Sequence, residues 1–129
     1  MSDKIKYEME FEIKSSTSVL FNMISTPSGL SEWFSDDVNI KDDIFSFFWD
    51  GTSEDAKQLT KKKGESVKFQ WMEDFEDGLK TYFEMAIKVD DLTNDVALII
   101  TDFAEEDEMD EAKLLWENQI SDLKMTIGS

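Results

Sequence analysis

Strict two-residue alternation limits the folds open to this chain more than any other feature. Residues 5–13, IKYEMEFEI, put Ile5, Tyr7, Met9, Phe11 and Ile13 on one face and Lys6, Glu8, Glu10 and Glu12 on the other. A period of two marks a strand with one dry and one wet face. Antiparallel sheets tolerate one wet face, whereas parallel sheets are covered on both. The pattern recurs downstream. Val67, Phe69 and Trp71 alternate with Ser66, Lys68, Gln70 and Met72, and Thr81, Phe83, Met85, Ile87 and Val89 alternate with Tyr82, Glu84, Ala86 and Lys88. Ile44–Trp49 (IFSFFW) is rich in strand formers and closes on Asp50-Gly51, a hairpin signal. Val38 starts a strand before it, and VALIIT, after the turn residues DLTND, supplies a last one. Lys63-Gly64 and Asp77-Gly78 read as turns, the second as a hairpin turn. Residues 52–60 are too polar to assign between strand and loop.

A sheet dry on one face needs a cover. The segment after the last strand supplies one. An acidic opening, EEDEMDE at 105–111, leads into a stripe of Met109, Ala112, Trp116, Gln119, Ile120, Leu123 and Ile127 at helical spacing. Acids first, Lys124 near the end and Gly128 as a stop complement the helix dipole and its C-terminus. Two shorter helices are predicted after the first strand. One is capped by the serines and Thr17 and carries Val19, Leu20, Met23 and Ile24. The other opens at Thr26-Pro27 and is held by Gly29 to a turn or two, ending near Trp33. The predicted fold class is α+β: a curved antiparallel sheet of six or seven strands wrapped around a long C-terminal helix, with two short helices after strand 1, as a single domain over 1–129.

Composition removes several functions. There is no cysteine and no histidine, which excludes disulfides, zinc sites of the usual kind, thiol nucleophiles and Ser-His-Asp triads. All 13 basic residues are lysine, so the bidentate guanidinium fork is absent, and 30 acids bring the net charge to −17. Nucleic acid and anionic membrane surfaces are therefore excluded as partners. The N-terminus lacks an apolar signal-peptide core, no stretch approaches a membrane span, and position 2 is Ser2 rather than the glycine that myristoylation needs. The expected location is cytoplasmic.

The order of elements and several residues resemble the START-like superfamily (helix-grip, Bet v 1-like, SRPBCC), and within it the bacterial relatives of the Hsp90 ATPase activator C-terminal domain. An opening strand runs into I-x-S-S-x-x-V-L-F at Ile13–Phe21, followed by P-x-x-L-x-x-W at Pro27, Leu30 and Trp33. The aromatic strand ends in W-D-G at Trp49–Gly51, a later strand carries F-x-W at Phe69 and Trp71, and the closing helix carries Trp116 and Leu123-Lys124. The resemblance covers nearly the whole chain. It implies a helix-grip fold whose groove between long helix and sheet holds an apolar ligand, or alternatively a protein-interaction module of the Hsp90-activator kind. The His and Arg residues that catalytic relatives place in the cavity are missing here, and the Lys-only acidity weakens any transfer of chaperone-binding surfaces.

Parity points the aromatic residues of the strands toward the closing helix. Phe45, Phe47 and Trp49 share one parity, as do Phe69 and Trp71, and Phe83 and Met85. The candidate ligand-binding residues are Trp33, Phe47, Trp49, Phe69, Trp71, Phe83, Met85, Trp116, Gln119 and Ile120. These either fill a solid core or line an apolar cavity. Gln119, Gln70 and Ser46 are the polar groups that could orient a ligand. Trp33 belongs at one end of the groove, sealing the core or forming the rim of an entrance, with one member of the Trp33-Phe34 pair left near the surface and Asp36-Asp37 marking the return to solvent.

The acidic run 73–84 places Gly78 and Glu84 at the sixth and twelfth positions of an EF-hand loop. Phe75 takes the third position, where an oxygen ligand is required, and the flanks read as strands, so the motif is rejected. Asp36-Asp37, Asp42-Asp43 and Glu105–Glu111 read as solvated acidic faces, and no metal or cofactor is expected. No acid is forced inward by alternation, and Glu84 points out, so no catalytic residue is assigned and the protein is read as no enzyme. Lys61-Lys62-Lys63 is the only basic cluster, either docking an acidic partner or offsetting local repulsion. The expected partners are a small apolar ligand or a protein, with the chain a monomer or weak homodimer.

Overall fold

The computed structural model describes residues 4–128; the Ser2 position lies outside them. Seven strands form one sheet: β1 (Lys4–Glu12), β2 (Asp37–Lys41), β3 (Ile44–Trp49), β4 (Thr52–Lys62), β5 (Ser66–Trp71), β6 (Phe83–Val89) and β7 (Val96–Glu105). Four helices accompany them: α1 (Thr17–Ser25), α2 (Pro27–Leu30), α3 (Met72–Glu76) and α4 (Met109–Ile127), with a single 3-10 turn at Glu106–Glu108 leading into α4. The spatial order is β1-β7-β6-β5-β4-β3-β2, and every neighbouring pair is antiparallel. Strands β2 to β7 therefore meander, and β1 returns to pair with β7 at the far edge. The sheet curled around a long helix that the alternating pattern predicts, and that the resemblance implies as a helix-grip fold, is what forms.

Local chemistry explains most boundaries. Ser16 caps α1 by accepting the Val19 N–H at 3.2 Å, and Thr26 caps α2 by accepting the Gly29 N–H at 2.9 Å, with Pro27 opening that helix. Gly29 does more than shorten α2. A Cβ there would lie 2.2 Å from the Asn22 carbonyl oxygen and 2.8 Å from the Met23 Cα, so its absence lets α2 rest directly on α1. Asp50 and Gly51 both take positive φ between the paired Trp49 and Thr52, a two-residue hairpin loop. Gly128, at φ 75°, closes α4.

Two expectations are corrected, and the segment left open between strand and loop is a strand. Asp77-Gly78 is not a hairpin turn: it ends the unforeseen helix α3, with Gly78 at φ 75° beyond the Asp77 cap. The polar segment 52–60 lies within β4, because β3 pairs with residues 52–57 and β5 with residues 56–62, so its backbone finds partners regardless of its side chains. A register shift between Gln58 and Thr60 bends that strand. Ile5 and Val89, assigned to the dry face, lie near strand ends and stay 45% and 43% exposed.

The core lies between the concave face and the helices. Phe45, Phe47, Phe69, Phe83, Met85, Leu98 and Ile100 come from the sheet, Leu20, Ile24 and Leu30 from the short helices, and Ile120 and Leu123 from α4, all essentially inaccessible.

Candidate functional site

The alternation that builds β7 carries further than the run VALIIT. Leu98, Ile100 and Ala104 are buried on the concave face, and the same parity puts Asp102 between them. Tyr7 lies opposite Asp102 on β1. The expectation that no acid is forced inside is therefore corrected: reading the period through Thr101 to Ala104 is the signal that finds Asp102.

Three donors hold this carboxylate. The Trp116 indole N–H donates to Asp102 Oδ2 at 2.9 Å, the Tyr7 hydroxyl donates to the same oxygen at 3.4 Å, and the Phe103 backbone N–H donates to Oδ1 at 2.7 Å. Burial pushes the Asp102 carboxyl above the ordinary range, and these hydrogen bonds only partly offset it. Burial first, and the Asp102 charge second, push the Tyr7 hydroxyl far up, so it is a donor at any physiological pH. Among the described residues no lysine stands within salt-bridge distance of Asp102; Lys4 is engaged with Asp74 at 3.1 Å.

Asp102 opens onto a cleft of about 430 Å³ between α4 and the sheet. Phe34, Phe83 and Trp116 are buried in its walls, and Trp49 and Trp71 are half-buried. Glu54, Leu115 and Gln119 complete the lining. The rings form a continuous wall: Trp49 to Trp71 at 6.3 Å, Trp71 to Phe83 at 4.9 Å and Phe83 to Trp116 at 6.2 Å between centroids. Glu54 lies opposite Phe47 and so on the same face of the sheet, where it stays exposed, a placement that the polar run 52–60 hid.

Phe34 organises this end of the molecule. Its ring touches those of Trp33, Phe47, Trp49, Phe83 and Trp116. Its carbonyl accepts from Trp49 Nε1 at 3.0 Å and from Gln119 Nε2 at 3.1 Å. The expectation that one of Trp33 and Phe34 stays near the surface is corrected, since both are buried. The tight turn after α2 lets Trp33 face α1, where its indole donates to the Met23 carbonyl at 2.8 Å, while Phe34 enters the core.

Of the candidate ligand residues, Trp49, Trp71, Phe83, Trp116 and Gln119 come together around the cleft. Phe47, Phe69, Met85 and Ile120 are packed solidly behind it, and Trp33 lies on a neighbouring depression beside α4. Ser46 and Gln70 are on the other face of the sheet. The Ser46 hydroxyl donates to Asp55 at 2.7 Å, and Gln70 donates to the Leu79 carbonyl at 2.9 Å, so neither can orient a molecule in the cleft.

The remaining charged clusters lie at the surface. Lys61 and Lys62 end β4 and Lys63 opens the following turn, all exposed. Glu105, Asp107 and Glu108 gather with carboxylate oxygens within 4.8 Å of one another, and Glu105 pushes the Glu108 carboxyl up. Among the described residues, no helix is long and apolar enough to cross a membrane.

A curved antiparallel sheet gripping a long helix, with an apolar cleft between them, defines a helix-grip protein. The model of the START-like superfamily domain matches residues 1–129, and the chain belongs to that family. Among solved structures, a Bacteroides fragilis protein determined by solution NMR is 35% identical, covers 98% of this chain and 92% of its own, and superposes with a TM-score of 0.67. The Aha1 dimer from Colwellia psychrerythraea gives a TM-score of 0.80 at 18% identity over 95% of this chain and 96% of its own. A Mesorhizobium loti protein gives 0.77 at 15% identity over 96% and 97%. The last two establish likeness of fold alone. No protein of curated function matches the chain.

Proposed function

We propose that this protein binds a small, largely apolar molecule in the cleft between α4 and the sheet and performs no chemistry on it. The observation that carries the reading is the aromatic cleft itself, about 430 Å³ beside a core in which Phe45, Phe47 and Phe69 are close-packed. That volume lies within the range of small-molecule sites. At about 25 cal/mol per Å², burying about 200 Å² of ligand surface yields about 5 kcal/mol before association costs. Asp102 serves as a fixed acceptor rather than a proton shuttle, because three protein donors already hold its oxygens. Native mass spectrometry of protein purified gently from cells tests this. A retained small molecule that is lost on Trp71→Ala is the expected result. Protein that carries nothing, and whose indole signals ignore a panel of apolar probes, refutes it.

A second reading, a protein-interaction module of the Hsp90-activator kind or a weak homodimer, is favoured by one feature of α4. Leu115 and Met125 are 59% and 79% exposed beside the cleft, and the Colwellia protein of like fold is a dimer. Sedimentation velocity over a concentration series, with Met125→Glu as control, separates self-association from the monomer. A pull-down that recovers a chaperone favours the co-chaperone role, and one that recovers none at low salt counts against it.

A further inference from the structure

The electrostatics of the cleft are one-sided, and that restricts the chemistry of what enters. Its lining contains two carboxylates, Asp102 and Glu54, and no lysine. Asp102 is half-buried and desolvated with no lysine at salt-bridge distance among the described residues, and Lys4, engaged with Asp74, acts on it only weakly from further away. A buried charge without a counter-charge is costly, and the lining supplies none. The adjoining depression continues the same sign, with Glu54, Asp55, Glu73, Glu76 and Asp77 on its walls. An anionic amphiphile such as a fatty acid would meet only like charge there. The ring faces of Trp49, Trp71 and Trp116 carry negative quadrupole charge and attract cations, tryptophan most strongly. A bare metal ion is a poor match, because indole and phenyl rings are not oxygen ligands and the lining offers only Asp102, Glu54 and Gln119 as side-chain oxygen donors, too few for a hard cation.

We propose that the ligand of this cleft is an organic ammonium ion: an amine with an apolar or aromatic body, its charge set between Asp102 and the tryptophan faces. This rests on the cleft being the ligand site and names the chemical class that it selects. The apolar body replaces water against Phe34 and Phe83, and the ammonium gives Asp102 a positive partner at close range, which Lys4 does not. Glu54 and the neighbouring acids raise the local concentration of cations at the entrance.

Three probes of similar shape and different charge test the proposal: phenethylamine, 2-phenylethanol and 3-phenylpropionate. Binding is followed by the indole N–H signals in proton–nitrogen NMR spectra. Phenethylamine is expected to bind about tenfold tighter than the alcohol, and the carboxylate weakest. The Trp49, Trp71 and Trp116 signals should move, while Trp33, whose indole is tied to Met23 outside the cleft, should not. Asp102→Asn keeps an acceptor for Trp116 and should abolish the preference for the amine over the alcohol. Equal affinity for amine and alcohol with the same indole shifts would leave the apolar site standing and overturn the ammonium proposal. An Asp102→Asn protein that keeps the full preference for amine would overturn it too. If none of the three probes moves the cleft indoles, both the proposal and the binding site beneath it fall.

Discussion

Phe34 joins the core, α4 and the cleft, since five aromatic rings and two side-chain donors converge on it. Phe34→Ala would leave a void where the core, α4 and the cleft meet. A loss of about 3–5 kcal/mol in urea unfolding is expected, and a loss below about 1 kcal/mol would show that neighbours collapse into the gap. Gly29→Ala acts by overlap rather than by void. The added methyl meets backbone of α1, which cannot rotate away, so a cost of about 1–3 kcal/mol is expected from thermal unfolding. Asp102 gives a signed pH effect. Its folded pKa is raised above the ordinary 3.8, so the fold favours the protonated form. The stability it contributes is complete below the unfolded pKa and is lost as pH rises through the folded one. Asp102→Asn should therefore gain stability relative to the parent as pH climbs from 3 to 7. A difference between the two proteins that stays constant over that range would contradict the assignment.

Helix α3 shows what an element owes to its neighbours. Its five residues include no side-chain cap, and isolated helices of that length do not persist in water. Asp74 holds it in place, accepting from Lys4 Nζ at 3.1 Å on both oxygens and from the Thr81 hydroxyl, which ties α3 to β1 and to the approach to β6. Asp74→Ala is expected to cost about 1–2 kcal/mol and to speed amide exchange in α3 ahead of the rest of the chain. Exchange that stays uniform would mean that packing alone retains the helix. The same dependence explains why α3 and β4 were hard to read. Alternation and capping signals are local, so β1, β5, β6, α1, α2 and α4 were legible from Tyr7, Phe69, Met85, Ser16, Thr26 and Trp116. The β4 strand exists because two partners bond its backbone, and its sequence carries little record of them.

At the scale of the whole molecule the dominant quantity is the charge of −17. Like charge at this density favours expanded states, and salt screens it. Raising sodium chloride from about 0.01 M to about 1 M shortens the screening length from about 30 Å to about 3 Å. The melting temperature should rise by several degrees over that series, and a fall would show that attractive pairs such as Lys4–Asp74 outweigh the repulsion. The same field sets the sign of what approaches the cleft.

The sequence by itself determined the class of fold and the inward parity of the aromatic strands, because a period of two and a period of 3.6 are properties of the chain read one segment at a time. It also determined what is absent from the chemistry, since a chain without His, Cys or Arg cannot supply those groups anywhere. Only the tertiary structure decided which rings make solid core and which make a wall. Phe47 and Trp49 share a parity, yet one is sealed under its neighbours and the other borders open space. It also decided that Phe34 joins Trp33 inside, and that Asp102 meets Trp116 across the long helix. Those outcomes depend on how far α4 stands off a sheet bent at Leu59, a distance set by many side chains together and written in none of them singly.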